Sequence, residues 1–136
     1  MAKKIDHIGI AVADIEDALS FWKGGLKLEE TDRLVVPDQK VKTAFLPIGQ
    51  VNIELLEGTA PDSPISKFIE KRGPGIHHIC FKVEDIASAL VHLKAGGFRL
   101  IDEEPRVGAH GKLVAFLHPK ASGGVLIELS QSVSED

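Results

Sequence analysis

A single cysteine, Cys80, leaves the chain unable to close a disulfide within itself, which suits a reducing cytosol better than an oxidising compartment. No stretch approaches the ~18 consecutive apolar residues of a membrane span. The opening Met1-Ala2-Lys3-Lys4-Ile5 leads straight into a strand pattern rather than into the apolar core of a secretion signal. Excess positive charge is missing too. The net charge is −4 with acids and bases interleaved, so no basic stripe is offered to nucleic acid. Low-complexity tracts are absent. These absences leave a mildly acidic, cytoplasmic α/β chain, and its 136 residues suffice for one domain with a proper core.

What the sequence does contain is a repeat. Set over His78–Gly96 at an offset of 71, the segment His7–Gly25 matches at nine of nineteen positions: His7/His78, Ile8/Ile79, Val12/Val83, Asp14/Asp85, Ile15/Ile86, Ala18/Ala89, Leu19/Leu90, Lys23/Lys94 and Gly25/Gly96. Unrelated sequence of ordinary composition gives roughly one. The offset recurs at Ala44-Phe45-Leu46 over Ala115-Phe116-Leu117, and after a three-residue insertion Ile53-Glu54-Leu55 falls over Ile127-Glu128-Leu129. A unit of about 70 residues is too long for a solenoid repeat, so two modules sharing one site are expected.

Each copy opens on a strand, Lys4–Val12 and His77–Val83, followed by a helix capped at Asp14 or Asp85 and stopped at Gly24-Gly25 or Gly96-Gly97. Strands are expected near Lys27–Thr31, Lys42–Leu46 and Val51–Leu56, and again near Arg99–Glu103, Lys112–Leu117 and Val125–Leu129. Each module therefore reads βαβββ. Module one spans 4–58 and module two 76–131. The linker 59–75 carries a short helix from Ser66 to Arg72 after Pro64, and Ser130–Asp136 reads as a polar tail. The fold class is α+β: two paired βαβββ modules forming a curved, cup-shaped mixed sheet around a metal site.

The metal enters through strand alternation. With Ile8, Ile10 and Val12 on the core face, His7 points the other way. Ile53 and Leu55 leave Glu54 opposed to the core, Ile79, Phe81 and Val83 do the same for His78, and Ile127 and Leu129 for Glu128. Two imidazoles and two carboxylates at matched positions form a mixed N/O set suited to Zn²⁺, Co²⁺, Ni²⁺, Mn²⁺ or Fe²⁺, and without thiolates it is not a closed structural zinc site. Four ligands leave positions open for water or substrate, as catalysis requires. The bland alternative is histidines that satisfy backbone groups and solvated glutamates. Retention of both residue types at both matched positions argues against it.

Other histidines carry less. His77 faces away from His78 and is expected to bond locally or at an interface, while His92 is expected to be solvated. His118 lies past a strand end and could contact a ligand, and His110 stands in the flexible loop Gly108–Gly111. Cys80 shares the His78 face.

Together the residues resemble the vicinal oxygen chelate superfamily, and within it the methylmalonyl-CoA epimerases. The resemblance runs from Asp6–Val12 to Gly124–Leu129. Its specific runs are Asp62-Ser63-Pro64-Ile65, Gly75–Cys80, Gly108-Ala109-His110-Gly111-Lys112 and Phe116-Leu117-His118-Pro119-Lys120 followed by Gly123–Leu129. A typical glyoxalase I carries an Asp-Pro-Asp-Gly turn before its last strand, where this chain has His118–Gly124. The resemblance implies metal at His7, Glu54, His78 and Glu128, with Co²⁺ or Zn²⁺ ahead of Ni²⁺ or Mn²⁺, and a homodimer. It also implies epimerisation of 2R- and 2S-methylmalonyl-CoA by α-proton abstraction through a metal-stabilised enolate. Glu128 is expected to be the base. Some members carry an extra acid/base glutamate on the third strand of the first module, where this chain reads Val41-Lys42-Thr43, so Glu54 or a metal-bound water is expected to take that role. Lys112 and Lys120, with His110 and His118, are the residues placed for the acyl-CoA substrate. Competing readings are a glyoxalase-type isomerase, a ring-cleaving dioxygenase and a non-catalytic small-molecule-binding module of the same fold.

Overall fold

A computed structural model of the protein describes residues 1–132. The chain divides into two compact units: His7–His77, here the first, and Met1–Asp6 together with the chain from His78 onward, here the second. The opening strand β1, Ala2–Ala11, is thus shared, its first residues belonging to the second unit and the rest to the first.

In the first unit β1 is followed by α1 (Ile15–Leu19), β2 (Asp32–Val36), β3 (Val41–Ile48), β4 (Val51–Gly58) and α2 (Pro64–Arg72). β1 and β4 pair parallel, while β2–β3 and β3–β4 pair antiparallel. The second unit repeats the plan. It runs β5 (Gly75–Val83), α3 (Ile86–Ala95), β6 (Arg106–Val107), β7 (Leu113–Leu117), α4 (Pro119–Ser122) and β8 (Ile127–Gln131). Here β5 and β8 are parallel, and β6–β7 and β7–β8 antiparallel. A parallel pair needs a crossover between its strands, and the helix that follows β1 or β5 begins that crossover.

Both helices start as their sequences dictate. The Asp14 carboxylate accepts from Asp17 N–H, and Asp85 accepts from Ser88 N–H. The core of the first unit joins Val12, Ile15, Leu19, Ala44, Leu46 and Leu55; that of the second joins Val83, Ile86, Ala89, Leu90, Ala115, Leu117 and Leu129. Each fully buried Leu or Ile contributes about 1.5–3 kcal/mol by leaving water.

Several elements depart from expectation. After Leu19 the first helix widens into a π-helical segment, Ser20–Gly25, and Lys27 turns left-handed at φ 63°. These changes push β2 beyond the expected Lys27–Thr31 to Asp32–Val36. Arg99–Glu103 forms no strand; Leu100 makes a single bridge to Leu117. The reason lies in Asp102, whose carboxylate takes the Phe116 N–H at 2.8 Å where a ladder carbonyl would otherwise sit. Pairing resumes at Arg106–Val107. The last strand is Ile127–Gln131 rather than Val125–Leu129, because the short helix α4 and the Ser122 hydroxyl, which accepts from Val125 N–H, occupy the approach. Ser130 and Gln131 are therefore strand rather than tail, and 133–136 lie outside the described residues. The face of β1 opposite the first core is not solvated either. Ala11 and Leu56 pack there with Ile65 of α2, and Ile8 is only partly buried.

Candidate active site

In β1 and β4 the register sets Gly9 beside Glu54 and His7 beside Asn52. His7 and Glu54 thus share a face, diagonal to each other, and His7 Nδ1 lies 3.1 Å from Glu54 Oε2. In the second unit Cys80 is the partner of Glu128, and His78, two residues earlier on the same face, places Nε2 3.0 Å from Glu128 Oε1. Both pairs are nearly closed to water, with side chains 12% exposed or less. The duplication seen in sequence is thus a duplication of a buried imidazole–carboxylate pair.

Each carboxylate has an aromatic neighbour across the ladder. Glu54 lies beside Phe45 of β3 and Glu128 beside Phe116 of β7. The Phe116 ring meets the His78 imidazole edge-on at 5.5 Å, and Arg106 lies 5.7 Å over the Phe116 ring. Cys80 is fully buried. A carboxylate withdrawn from water needs a compensating cation, and the donor sets fit a borderline divalent metal. Two ligands each about 2.1 Å from one ion and about 90° apart stand roughly 3 Å from each other. Both observed N···O separations are compatible with the two donors of each pair turning to one such ion.

The other expected site residues are spread more widely. His110 is exposed in the turn Ala109–Gly111 and adopts φ 59°. Lys112, which follows this turn, places Nζ 3.2 Å from Asp6 Oδ1. His118 caps α4: its Nδ1 accepts from Lys120 N–H at 3.0 Å. Partial desolvation, and after it the charges of Arg99 and Lys120, hold the imidazole below the usual histidine range. The Lys120 side chain is exposed, as is His92. His77 stacks edge-on against Phe68 at 5.0 Å.

Sequence reading missed four side chains that bear on the site. Asp6 is buried, and its partner lies 106 residues away in the chain, so no local pattern could reveal it. Arg106 and its stacking on Phe116 follow from strand register alone. The other two carried a signal. Glu57 and Gln131 stand three residues beyond Glu54 and Glu128, and each side chain accepts the first N–H of its unit's helix, Ile15 at 2.8 Å and Ile86 at 2.7 Å. The offset that relates the two carboxylates relates these caps as well.

Residues 6–116 match the Glyoxalase/Bleomycin resistance protein/Dioxygenase superfamily. The mitochondrial methylmalonyl-CoA epimerase of Homo sapiens is 42% identical over 130 residues, spanning 95% of this chain and 74% of that protein. An ethylmalonyl-CoA/methylmalonyl-CoA epimerase of Cereibacter sphaeroides is 43% identical over 133 residues, spanning 96% and 99%. A solved methylmalonyl-CoA epimerase in complex with methylmalonyl-CoA and NH₄⁺ superposes with a TM-score of 0.93 at 36% identity, covering 98% of this chain and 97% of that one.

Proposed function

Because the chain belongs to the glyoxalase/bleomycin resistance protein/dioxygenase superfamily and, within it, to the methylmalonyl-CoA epimerases, we propose that it interconverts 2R- and 2S-methylmalonyl-CoA. The reaction removes the C2 proton and returns one on the opposite face. The observation that carries this reading is the buried His–Glu pair found once in each unit.

His7, Glu54, His78 and Glu128 would hold one divalent metal, Co²⁺ or Zn²⁺ first and Ni²⁺ or Mn²⁺ next. When bound, such an ion supplies Lewis acidity to the thioester oxygen and the neighbouring carboxylate, lowering the cost of negative charge at C2. The protein supplies the proton transfers. Glu128 takes the C2 proton onto its carboxylate in one direction, and Phe116 beside it helps keep water from the exposed carbanion. Glu54 then returns a proton from its own carboxyl on the other face. Thr43 lies two residues from Phe45 on β3 and so shares the Glu54 face, but it has no ionisable group for this role. Lys112 and Lys120 supply positive charge toward the CoA phosphates, and the turn carrying His110 and the α4 cap at His118 border the acyl-CoA. We read the protein as a cytoplasmic homodimer.

Proton NMR of the metal-loaded protein with one epimer of methylmalonyl-CoA in D₂O tests this. Loss of the C2 proton signal with conversion to the other epimer is expected, and Glu128→Gln should slow that loss about 10²–10⁴-fold. A wild-type protein that leaves the signal intact with each of the four metals would overturn the assignment and direct attention to glutathione hemithioacetals.

A further inference from the structure

We propose that Arg106 is an anion-recognition residue of the active site, holding a carboxylate or phosphate oxygen group of the bound acyl-CoA. The inference rests on the acyl-CoA reading above. In the β6–β7 register Arg106 stands beside Val114, and Phe116 beside Glu128. Val114 and Phe116 are two residues apart, so Arg106 lies on the face that carries Glu128. A continuous line of contacts joins them: the guanidinium over the Phe116 ring at 5.7 Å, that ring against His78 at 5.5 Å, and His78 Nε2 on Glu128 Oε1 at 3.0 Å.

The N–H donors of Arg106 are available to a ligand, although an ion pair with Asp102 partly offsets its charge. The carboxylate it faces, Asp102 Oδ2, is 3.7 Å from Nη2, outside hydrogen-bond distance, and that same oxygen is engaged by the Phe116 N–H at 2.8 Å. Lys112 adds positive charge as well, but it shares that charge with the buried carboxylate of Asp6 at 3.2 Å. Stacking on an aromatic face orients the guanidinium plane without consuming its N–H donors, and a planar fork matches two oxygens of a carboxylate or phosphate. At 42% exposure the group is reachable by a ligand while its inner side is covered by Phe116. Arg106 touches the ligand and takes no proton, so it is a binding and specificity residue.

Isothermal titration of wild type, Arg106→Gln and Arg106→Lys, each with Co²⁺, against three thioesters separates the sources of the anion. Methylmalonyl-CoA carries both the acyl carboxylate and the phosphates, propionyl-CoA only the phosphates, and methylmalonyl-N-acetylcysteamine only the carboxylate. Arg106→Gln should weaken methylmalonyl-CoA roughly tenfold or more, with Arg106→Lys recovering part of the loss. A parallel loss on methylmalonyl-N-acetylcysteamine alone identifies the carboxylate, and on propionyl-CoA alone the phosphates. In turnover, KM should rise with kcat little changed. Unaltered binding of all three ligands by Arg106→Gln overturns the proposal, as does wild type binding none of them. Wild type that binds the thioesters but exchanges no C2 proton defeats the epimerase reading and leaves the role of Arg106 to be decided by the same titrations.

Discussion

Gly58 ends β4 against the cap of α2, where no side chain fits. A methyl group at that position would overlap the hydroxyls of both Ser63 and Ser66. Those hydroxyls bond each other at 3.0 Å, Ser63 Oγ accepts from Ser66 N–H at 2.9 Å, and Ser66 Oγ donates to Ala60 C=O at 2.8 Å. Ser63 is wholly buried and has nowhere to retreat. Gly58→Ala should therefore cost about 1–3 kcal/mol by overpacking, measured as a lowered midpoint in urea. Adding Ser66→Ala should return part of that loss, because the two changes share one contact. His118 makes a second residue-scale case. Its neutral Nδ1 caps α4, and its pKa is lowered. The cap is fully present above the ordinary histidine range and is lost as pH falls through the lowered folded value. A ¹⁵N–¹H titration should show the Lys120 amide moving with the His118 imidazole, at a lower pH than free histidine. A Lys120 amide that stays put across that range would contradict the cap.

Helices α1 and α3 each have their first N–H held by a side chain from the parallel strand of the same unit, Glu57 on β4 and Gln131 on β8. The caps fix where each helix begins relative to the strand that also carries Glu54 or Glu128. Glu57→Ala and Gln131→Ala should each cost about 1 kcal/mol in chemical unfolding, whereas Glu57→Gln keeps an acceptor oxygen and should cost less. At this scale the sequence was legible where period and capping agreed. β1, β5, β3, β4 and the starts of α1 and α3 follow from alternation and from Asp14 and Asp85, whereas α2 begins at Pro64 behind a Ser63 cap, two residues ahead of the expected Ser66. The faces of His7, Glu54, His78 and Glu128 follow from the same alternation. It was illegible where one side chain replaced a backbone partner. Asp102 holding the Phe116 N–H cancels a strand at Arg99–Glu103, and the π-helical turn after Leu19 delays β2. Such substitutions depend on partners distant in sequence and leave no period behind. The Asp6–Lys112 pair was hidden for that reason.

For the whole molecule, the metal proposed above would link ion binding to folding. Removing it with a chelator should lower Tm, and Co²⁺ at 100 times its Kd should restore about 2.7 kcal/mol of stability. His78→Ala should abolish that response in a thermal scan while the protein still melts cooperatively; an undiminished metal response in the variant would remove His78 from the ligand set. The shared strand β1 has a different consequence, one for how the gene could be cut. Severing the chain between His77 and His78 follows the junction of the repeat, yet it strands the C-terminal piece from Met1–Asp6, which belong to its own unit. That piece would lose the Lys3–Glu84 and Asp6–Lys112 ion pairs at a stroke. Expressed by itself it should give a poorly dispersed amide spectrum, and mixing with the piece ending at His77 should sharpen it. The second copy of the repeat is completed by residues that lie ahead of the first, so a cut at the boundary between the copies does not return two whole units.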